Sequence, residues 1–349
     1  MKNSYDVIII GASIAGLECA KNLADSNLSV LVIERQKEIH KPCGEGILPE
    51  DLEYIPKHLV NSDFQKLIIS YRGKEVDVPS KGGIVASIER KKLINYNLES
   101  LSNKKNIEVI KGVAVSEIIS NKSLKLSSGE TLSFKFLVGA DGSASMVRKY
   151  LNIPVKKMGI CIQYLIPEKS KKFNDFVMYL DDKKFGSGYV WIFPNNGYAS
   201  VGCGSDIASI KTSDLRENFE EWLRENNINV VDAKFESASI SYDYRGYKFG
   251  NIFLAGDAAG LVPGPTGKGI TAAFLSGKQV AMEILGVKHQ NLIEEWVKRK
   301  KEEDRTMFFF RNRILRPFFF LIFISFISNE KIKNMVARIV VGNYSKFKQ

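Results

Sequence analysis

The strongest constraint on this chain is a strand–turn–helix–strand unit at its N-terminus. Residues 5–10 (YDVIII) form a continuous apolar run rich in β-branched residues, the pattern of a strand buried on both faces of a parallel sheet. The turn Gly11-Ala-Ser-Ile-Ala-Gly16 follows, then LECAKNLADSN at helical spacing, then a second strand over 29–33 that ends at Glu34. Gly11 makes the tight turn, and Gly16 lets the helix pack closely on the strand. The helix N-terminus presents free amides and the positive end of its dipole to an anion. Ala15 lies in that first turn of helix. Ser13 stands where a glycine is usual, so a Cβ and a hydroxyl lie near the expected phosphates. Glu34 is placed to accept hydrogen bonds from ribose hydroxyls, with Arg35 beside it.

A second glycine-rich turn lies about 240 residues further on, in Asn251–Ile270 (NIFLAGDAAGLVPGPTGKGI). Residues 251–255 read as another apolar strand that runs into Gly256-Asp257. Asp257 therefore stands at the carboxyl end of a strand, where ligands of α/β sheets bind. The loop 263–269 (PGPTGKG), with Gly267, Lys268 and Gly269, leads into the helix ITAAFLSGKQVAMEIL, which begins at Ile270. Two such turns in one chain suggest a long cofactor gripped at both ends, which is FAD rather than NAD. Asp257 suits the ribityl hydroxyls, and the helix N-terminus suits the negative charge of a reduced flavin pyrimidine.

The segment between the turns adds three candidates. Arg90 precedes the amphipathic stretch KKLINYNLES and is placed to reach the cofactor phosphates. Residues 106–119 alternate as one strand, with Val113 offering backbone groups to the adenine. Residues 136–148 (FLVGADGSASMVR) read as a strand, a turn that delivers Asp141 to something polar, and a serine-capped helix start.

The four cysteines and three histidines are scattered, which argues against a disulfide framework, a zinc site or any His-ligated metal, and for a reducing cytosol. The N-terminal apolar run is too short for a signal peptide. Most of the net charge of +11 is local, because residues 298–349 hold 13 Lys and Arg against 4 Asp and Glu. No nucleic-acid motif accompanies it. Within this tail the longest apolar block, 317–328, has 12 residues, about 18 Å as a helix against the ~30 Å of a bilayer core. Arg311, Arg313 and Arg316 precede or open that block. The tail is expected either to lie in a membrane interface, basic side toward anionic headgroups, or to close the substrate cavity or form a dimer contact.

With these residues in place, Tyr5–Leu285 resembles the FAD-dependent oxidoreductases of the para-hydroxybenzoate hydroxylase fold, and within them the geranylgeranyl reductase family. Lys41-Pro-Cys-Gly-Glu-Gly46 is similar to the family's KPCG segment, and Gly188-Tyr-Val-Trp-Ile-Phe-Pro194 to its YxWxFP signature. The resemblance implies flavin contacts at Ala15, Glu34, Cys43, Gly44, Arg90, Val113, Asp257, Gly269 and Ile270. It implies reduction of isoprenoid double bonds in a prenyl lipid or prenyl diphosphate. Ser13 and Lys268 depart from the family pattern, and the region after Gly286 aligns with nothing.

An unactivated alkene has no carbonyl to polarise, so a hydride from flavin N5 and a proton must be delivered to a tightly held, water-free double bond. Tyr189, Trp191 and Phe193 alternate along one face of a strand and suit a polyprenyl chain. Cys43 is expected over the flavin, tuning it or moving a proton, with Tyr189 and Trp191 beside the reacting bond. Electrons would come from NAD(P)H or from a carrier such as ferredoxin, since no further dinucleotide turn is present. The expected architecture is α/β (α+β): a discontinuous Rossmann-type FAD-binding domain (1–70, 85–150 and 245–285), a discontinuous antiparallel-sheet substrate domain (71–84 and 151–244) and a helical tail (286–349). The expected location is the cytoplasm, peripheral at the inner face of the membrane. The alternatives are a monooxygenase of the same fold and a non-catalytic, membrane-associated flavin-binding protein.

Overall fold

The structure is a computed structural model and describes residues 2–61, 64, 66–79, 85–167, 173–288 and 290–329. The chain divides into two units: Met1–Lys41, Lys91–Met158 and Ser239–Glu302 form one, and Pro42–Arg90, Gly159–Ala238 and Glu303–Gln349 the other.

The first unit is built on parallel strands in the order Ile252–Leu254, Thr131–Gly139, Ser4–Ile10, Val30–Glu34 and Ile107–Lys111. Ser4–Ile10 is central, and Val7, Ile8 and Ile9 are fully buried, as a continuous apolar strand covered on both faces requires. Helix Ile14–Leu23 carries the crossover and packs against helix Ile270–Leu285. The expected single strand over 106–119 is two strands, Ile107–Lys111 and Val115–Ser120. Gly112 breaks it, at φ +79°, a conformation that sends the chain out of the parallel sheet and into a hairpin with Ser123–Leu126.

The second unit holds a seven-stranded sheet in the order Lys234–Ser241, Met158–Pro167, Tyr198–Asp206, Tyr189–Pro194, Phe176–Leu180, Lys66–Tyr71 and Lys74–Pro79. Its described pairings are antiparallel, as expected, except that Phe176–Leu180 runs parallel to Lys66–Tyr71. Helix Thr212–Glu225 sets Leu215, Phe219, Trp222 and Leu223 into a core with Val201 and Cys203. A small three-stranded sheet joins Gly46–Ile47, Ala86–Ile88 and Val60–Asn61.

Several expected boundaries are corrected. Residues 42–70 and 85–90 belong with the second unit, because Lys66–Tyr71 completes its sheet and Ala86–Ile88 pairs with Gly46–Ile47, while 151–158 and 239–244 fall in the first. The tail is not a separate appendage. Helix Leu292–Arg305 is tied into the first unit, where Trp296 Nε1 donates to the Leu261 carbonyl at 2.8 Å and Lys300 Nζ to the Tyr242 carbonyl at 2.8 Å. Helix Leu315–Ile327 instead inserts Phe320, Ile324 and Ile327 into a core with Ile69, Tyr71, Val76 and Phe176. The rest of the tail, 330–349, and residues 80–84 of the expected substrate domain lie outside the described residues.

The two faces of Leu315–Ile327 should respond differently to truncation. Phe320 is fully buried, edge-on to Tyr71 at 5.4 Å, whereas Phe318 is 62% exposed. Phe320→Ala is expected to destabilise the protein by about 3–5 kcal/mol. Phe318→Ala should fall within about 0.5 kcal/mol of the parent. Paired urea titrations measure both.

Candidate functional site

In the first unit the two glycine-rich turns meet. Gly11 has φ +102°, and a Cβ there would lie 2.4 Å from the Ala140 carbonyl oxygen. A Cβ on Gly16 would lie 1.9 Å from the Gly11 oxygen. Only glycine lets the helix start this close to the strand ends. Ser13 is the extended N-cap, and the Leu17 amide makes the first helical bond, to the Ser13 carbonyl at 3.0 Å. The amides of residues 14–16, Ala15 among them, therefore open the helix as anion donors. A Cβ on Gly256 would stand 3.2 Å from Ala15 Cβ, so the second turn touches the first helix.

The carboxylates around these turns are partly committed. Glu34 is buried. Its Oε2 accepts from the Ala12 amide at 2.9 Å and its Oε1 from the Gln36 amide at 2.9 Å. The Glu34 carboxylate thus shapes the turn, and its remaining lone pairs keep capacity for hydroxyl donors. Val113 is held beside it, its amide donating to the Glu34 carbonyl at 3.2 Å. Asp141 Oδ2 accepts from the Met146 amide at 2.7 Å, which makes Asp141 part of the cap of helix Met146–Tyr150, together with Ser145. Asp141 Oδ1 is buried with no partner, and burial pushes this carboxyl up from its ordinary range. Arg35 is exposed.

At the second turn, Asp257 lies in the one-turn helix Gly256–Ala259 and pairs with Lys41 Nζ at 2.7 Å. A Cβ on Gly269, the N-cap of Ile270–Leu285, would lie 3.6 Å from Asp257 Oδ1. A carboxylate and the positive end of a 16-residue helix are thus adjacent, beside Ile270 and the φ +67° turn at Gly267. These features fit FAD. The amides and close glycines suit the pyrophosphate. The orphaned Asp141 oxygen awaits a donor, and Asp257 with Lys41 suits a polyol chain.

The second unit brings its two motifs into one packed assembly. Tyr189, Trp191 and Phe193 share a face, with successive ring centroids 6.1 Å apart. The Cys43–Gly46 loop lies flat on that face. A Cβ on Gly44 would meet Trp191 Nε1 at 3.2 Å, and one on Gly46 would meet the Phe193 ring at 2.8 Å. Trp191 is covered more than expected of a residue facing substrate. Only 6% exposed, it donates from Nε1 to Ser200 Oγ at 3.0 Å and rests on Gly202, where a Cβ would lie 2.3 Å from its Cζ2. Tyr189 and Phe193 are half-buried.

Polar side chains fasten the loop at both ends. Gln163 Nε2 donates to the Cys43 carbonyl at 3.0 Å and to Glu236 Oε2 at 2.9 Å. Glu45 accepts from the Arg90 amide at 2.9 Å, from Asn195 Nδ2 at 3.1 Å and from the Tyr198 hydroxyl. Burial pushes the Glu45 carboxyl and the Tyr198 phenol up. Arg90 begins helix Arg90–Leu101, so Glu45 caps that helix. Lys41, Glu45, Gln163, Asn195 and Tyr198 escaped the sequence reading. Lys41 and Glu45 lie within KPCGEG itself, and their charges there were the available signal.

Comparison with known proteins agrees with this geometry. The pyridine nucleotide-disulphide oxidoreductase family matches residues 5–169 and the FAD binding domain family residues 116–302. A digeranylgeranylglycerophospholipid reductase of Methanocella arvoryzae is 30% identical over 300 residues, covering 80% of this chain and 76% of the relative. A geranylgeranyl diphosphate reductase of Rhodobacter capsulatus is 27% identical, covering 79% and 74%. The crystal structure of a geranylgeranyl bacteriochlorophyll reductase-like protein from Thermoplasma acidophilum shares the fold, with TM-score 0.72, 20% identity and coverage of 97% and 92%.

Gly11 gives the direct test of the first cradle. Gly11→Ala places a Cβ against the Ala140 carbonyl in a left-handed conformation. The purified variant should carry little FAD, read from its absorbance spectrum, and lose about 1–3 kcal/mol of stability. Full flavin content would refute the assignment.

Proposed function

The chain belongs to the geranylgeranyl reductase family of FAD-dependent oxidoreductases, and on that premise we propose that it hydrogenates isoprenoid double bonds of a prenyl lipid or prenyl diphosphate. The observation that carries the substrate reading is the packing of the Cys43–Gly46 loop against the Tyr189–Trp191–Phe193 face. That packing joins both of the chain's distinguishing motifs, with Cys43 directly before the Gly44 that meets Trp191.

FAD, when bound and reduced, supplies the hydride. In this reading Gly11, Ser13, Ala15, Gly16, Glu34, Val113 and Asp141 hold its adenosine and pyrophosphate. Asp257, Lys41, Gly267, Gly269 and Ile270 hold the ribityl and flavin end, with Arg90 toward the phosphates. The half-buried rings of Tyr189 and Phe193 hold the prenyl chain and exclude water, and the buried Trp191 ring packs between them. Cys43 donates the proton from Sγ. Reducing equivalents come from NAD(P)H or ferredoxin.

The tail brings the enzyme to its lipid. Helices Met307–Arg311 and Leu315–Ile327 leave Phe308, Phe318, Leu321, Ile322 and Phe326 between 44% and 66% exposed. Arg305 and Arg313 are exposed beside them, and no Asp or Glu occurs from 305 to 328. Among the described residues no helix is long and apolar enough to cross a membrane. An exposed apolar face with Arg305 and Arg313 beside it suits the surface of an anionic bilayer, at the inner face of the cell membrane.

Cys43→Ala and Cys43→Ser should retain FAD and lower the hydrogenation rate by about 10²-fold or more. Mass spectrometry of geranylgeranyl diphosphate and of a digeranylgeranyl phospholipid, incubated with dithionite-reduced enzyme, reports the added hydrogens. Unchanged turnover sinks the proton-donor role, and no reduction of either compound by the parent sinks the substrate reading.

Deleting the tail would strip Phe320, Ile324 and Ile327 from a core, so the membrane reading is better tested on the exposed face. Phe318→Ser with Ile322→Ser should abolish co-sedimentation with phosphatidylglycerol vesicles and leave hydrogenation of detergent-dispersed substrate intact. Undiminished sedimentation of the folded double variant would overturn it.

A further inference from the structure

We infer that Glu45 and Tyr198 are positioning residues for Cys43, acting through the backbone of the Cys43–Gly46 loop. The inference rests on the proposed role of Cys43 and names what holds its sulfur in place.

Glu45 has φ +63°, in the left-handed region. Residues with a Cβ avoid that region, and both neighbours of Glu45 are glycines. A side chain stands there because its carboxylate is the tether. One oxygen accepts from the Arg90 amide at 2.9 Å, and the other accepts from Asn195 Nδ2 at 3.1 Å and from the Tyr198 hydroxyl. The Glu45 carbonyl accepts from the Ile88 amide at 3.0 Å. Asn195 is itself held, its Nδ2 donating to the Ile88 carbonyl at 3.1 Å and to the Tyr198 oxygen at 3.1 Å.

This lock turns the Glu45 amide toward Cys43, to whose Sγ it donates at 3.4 Å. An amide N–H on sulfur fixes the rotamer of the thiol and so the direction in which Sγ points. Gln163 holds the other end of the same residue by its carbonyl, at 3.0 Å. Cys43 is thereby oriented from both sides by groups that do not themselves touch the sulfur through their side chains. A carboxylate that only capped helix Arg90–Leu101 would leave the sulfur indifferent to its loss, and this separates the two roles.

The test uses the FAD-loaded full chain and three variants. Glu45→Gly keeps the backbone conformation accessible and removes the tether. Tyr198→Phe removes one hydrogen bond to it. Glu45→Gln keeps an oxygen acceptor for the Arg90 amide. The primary readout is the rate of Cys43 alkylation by iodoacetamide at about pH 7.5, followed by peptide mass spectrometry, which requires no turnover. Each of the three variants changes the rate by about 2-fold or more, Glu45→Gly the most, because Glu45→Gln keeps the acceptor for the Arg90 amide but loses the one that takes Asn195 Nδ2 and the Tyr198 hydroxyl. Hydrogenation should fall in kcat, with KM for geranylgeranyl diphosphate nearly unchanged, in the same order. Parental alkylation rates in folded, flavin-loaded Glu45→Gly and Tyr198→Phe would overturn the inference. Should Glu45→Gly not fold, Tyr198→Phe decides alone. If Cys43→Ala proves fully active, the catalytic role of the thiol fails, while the alkylation rates still decide the positioning.

Discussion

The rest of the first unit depends on a backbone contact between two helices far apart in sequence. A Cβ on Gly277, in helix Ile270–Leu285, would lie 2.4 Å from the Ala15 carbonyl oxygen and 3.0 Å from the Cys19 amide. The helix that follows the second turn therefore rests on the backbone of the helix that follows the first. The nearest atom is backbone, so the two helices approach as closely as their main chains allow. Gly256 then reaches Ala15, and Asp257 is carried to the neighbourhood of the first cradle. In a close-packed interior a single methyl group at such a contact cannot be absorbed without backbone movement. A cofactor that must be held at both ends needs that fixed spacing more than it needs any one hydrogen bond.

The second unit uses the same device with aromatic rings. Gly44, Gly46 and Gly202 each yield the volume of a side chain to Trp191 or Phe193. The rings are thus enclosed on the loop side and the sheet side, and the two motifs are one packed object. Glu45 stands among these glycines in a conformation that glycine would adopt more readily, and its buried hydrogen bonds hold it there. The loop combines maximal backbone freedom at two positions with a strained, tethered residue between them, the pattern expected where a reactive group must be aimed.

The first unit was largely legible. Strand Ser4–Ile10, the Gly11 and Gly16 turn, the carboxylate at Glu34 and helix Ile270–Leu285 follow from local periodicity, and local periodicity survives folding. The serine cap and the strand that delivers Asp141 were legible for the same reason. The break at Gly112 was not, since one glycine interrupts an alternation that otherwise reads through. The parallel pairing of Lys66–Tyr71 with Phe176–Leu180 was not legible either, because register between strands about a hundred residues apart leaves no mark in either segment. That pairing moved residues 42–70 from one unit to the other.

The sequence by itself determined which segments hold glycine, carboxylate, thiol and aromatic rings, and it placed the glycines and carboxylates at spacings that a dinucleotide fold uses. Those are properties of neighbours along the chain. Tertiary structure decided what each group touches. It committed part of Glu34 to the Ala12 and Gln36 amides, gave Asp257 a lysine, buried Trp191 beneath the Cys43–Gly46 loop, and turned one face of the terminal helix into core and the other to the surface. The physical reason is that burial and pairing are set by long-range approach of surfaces. A residue's chemistry is written locally, while its partners depend on which distant backbone can come close enough.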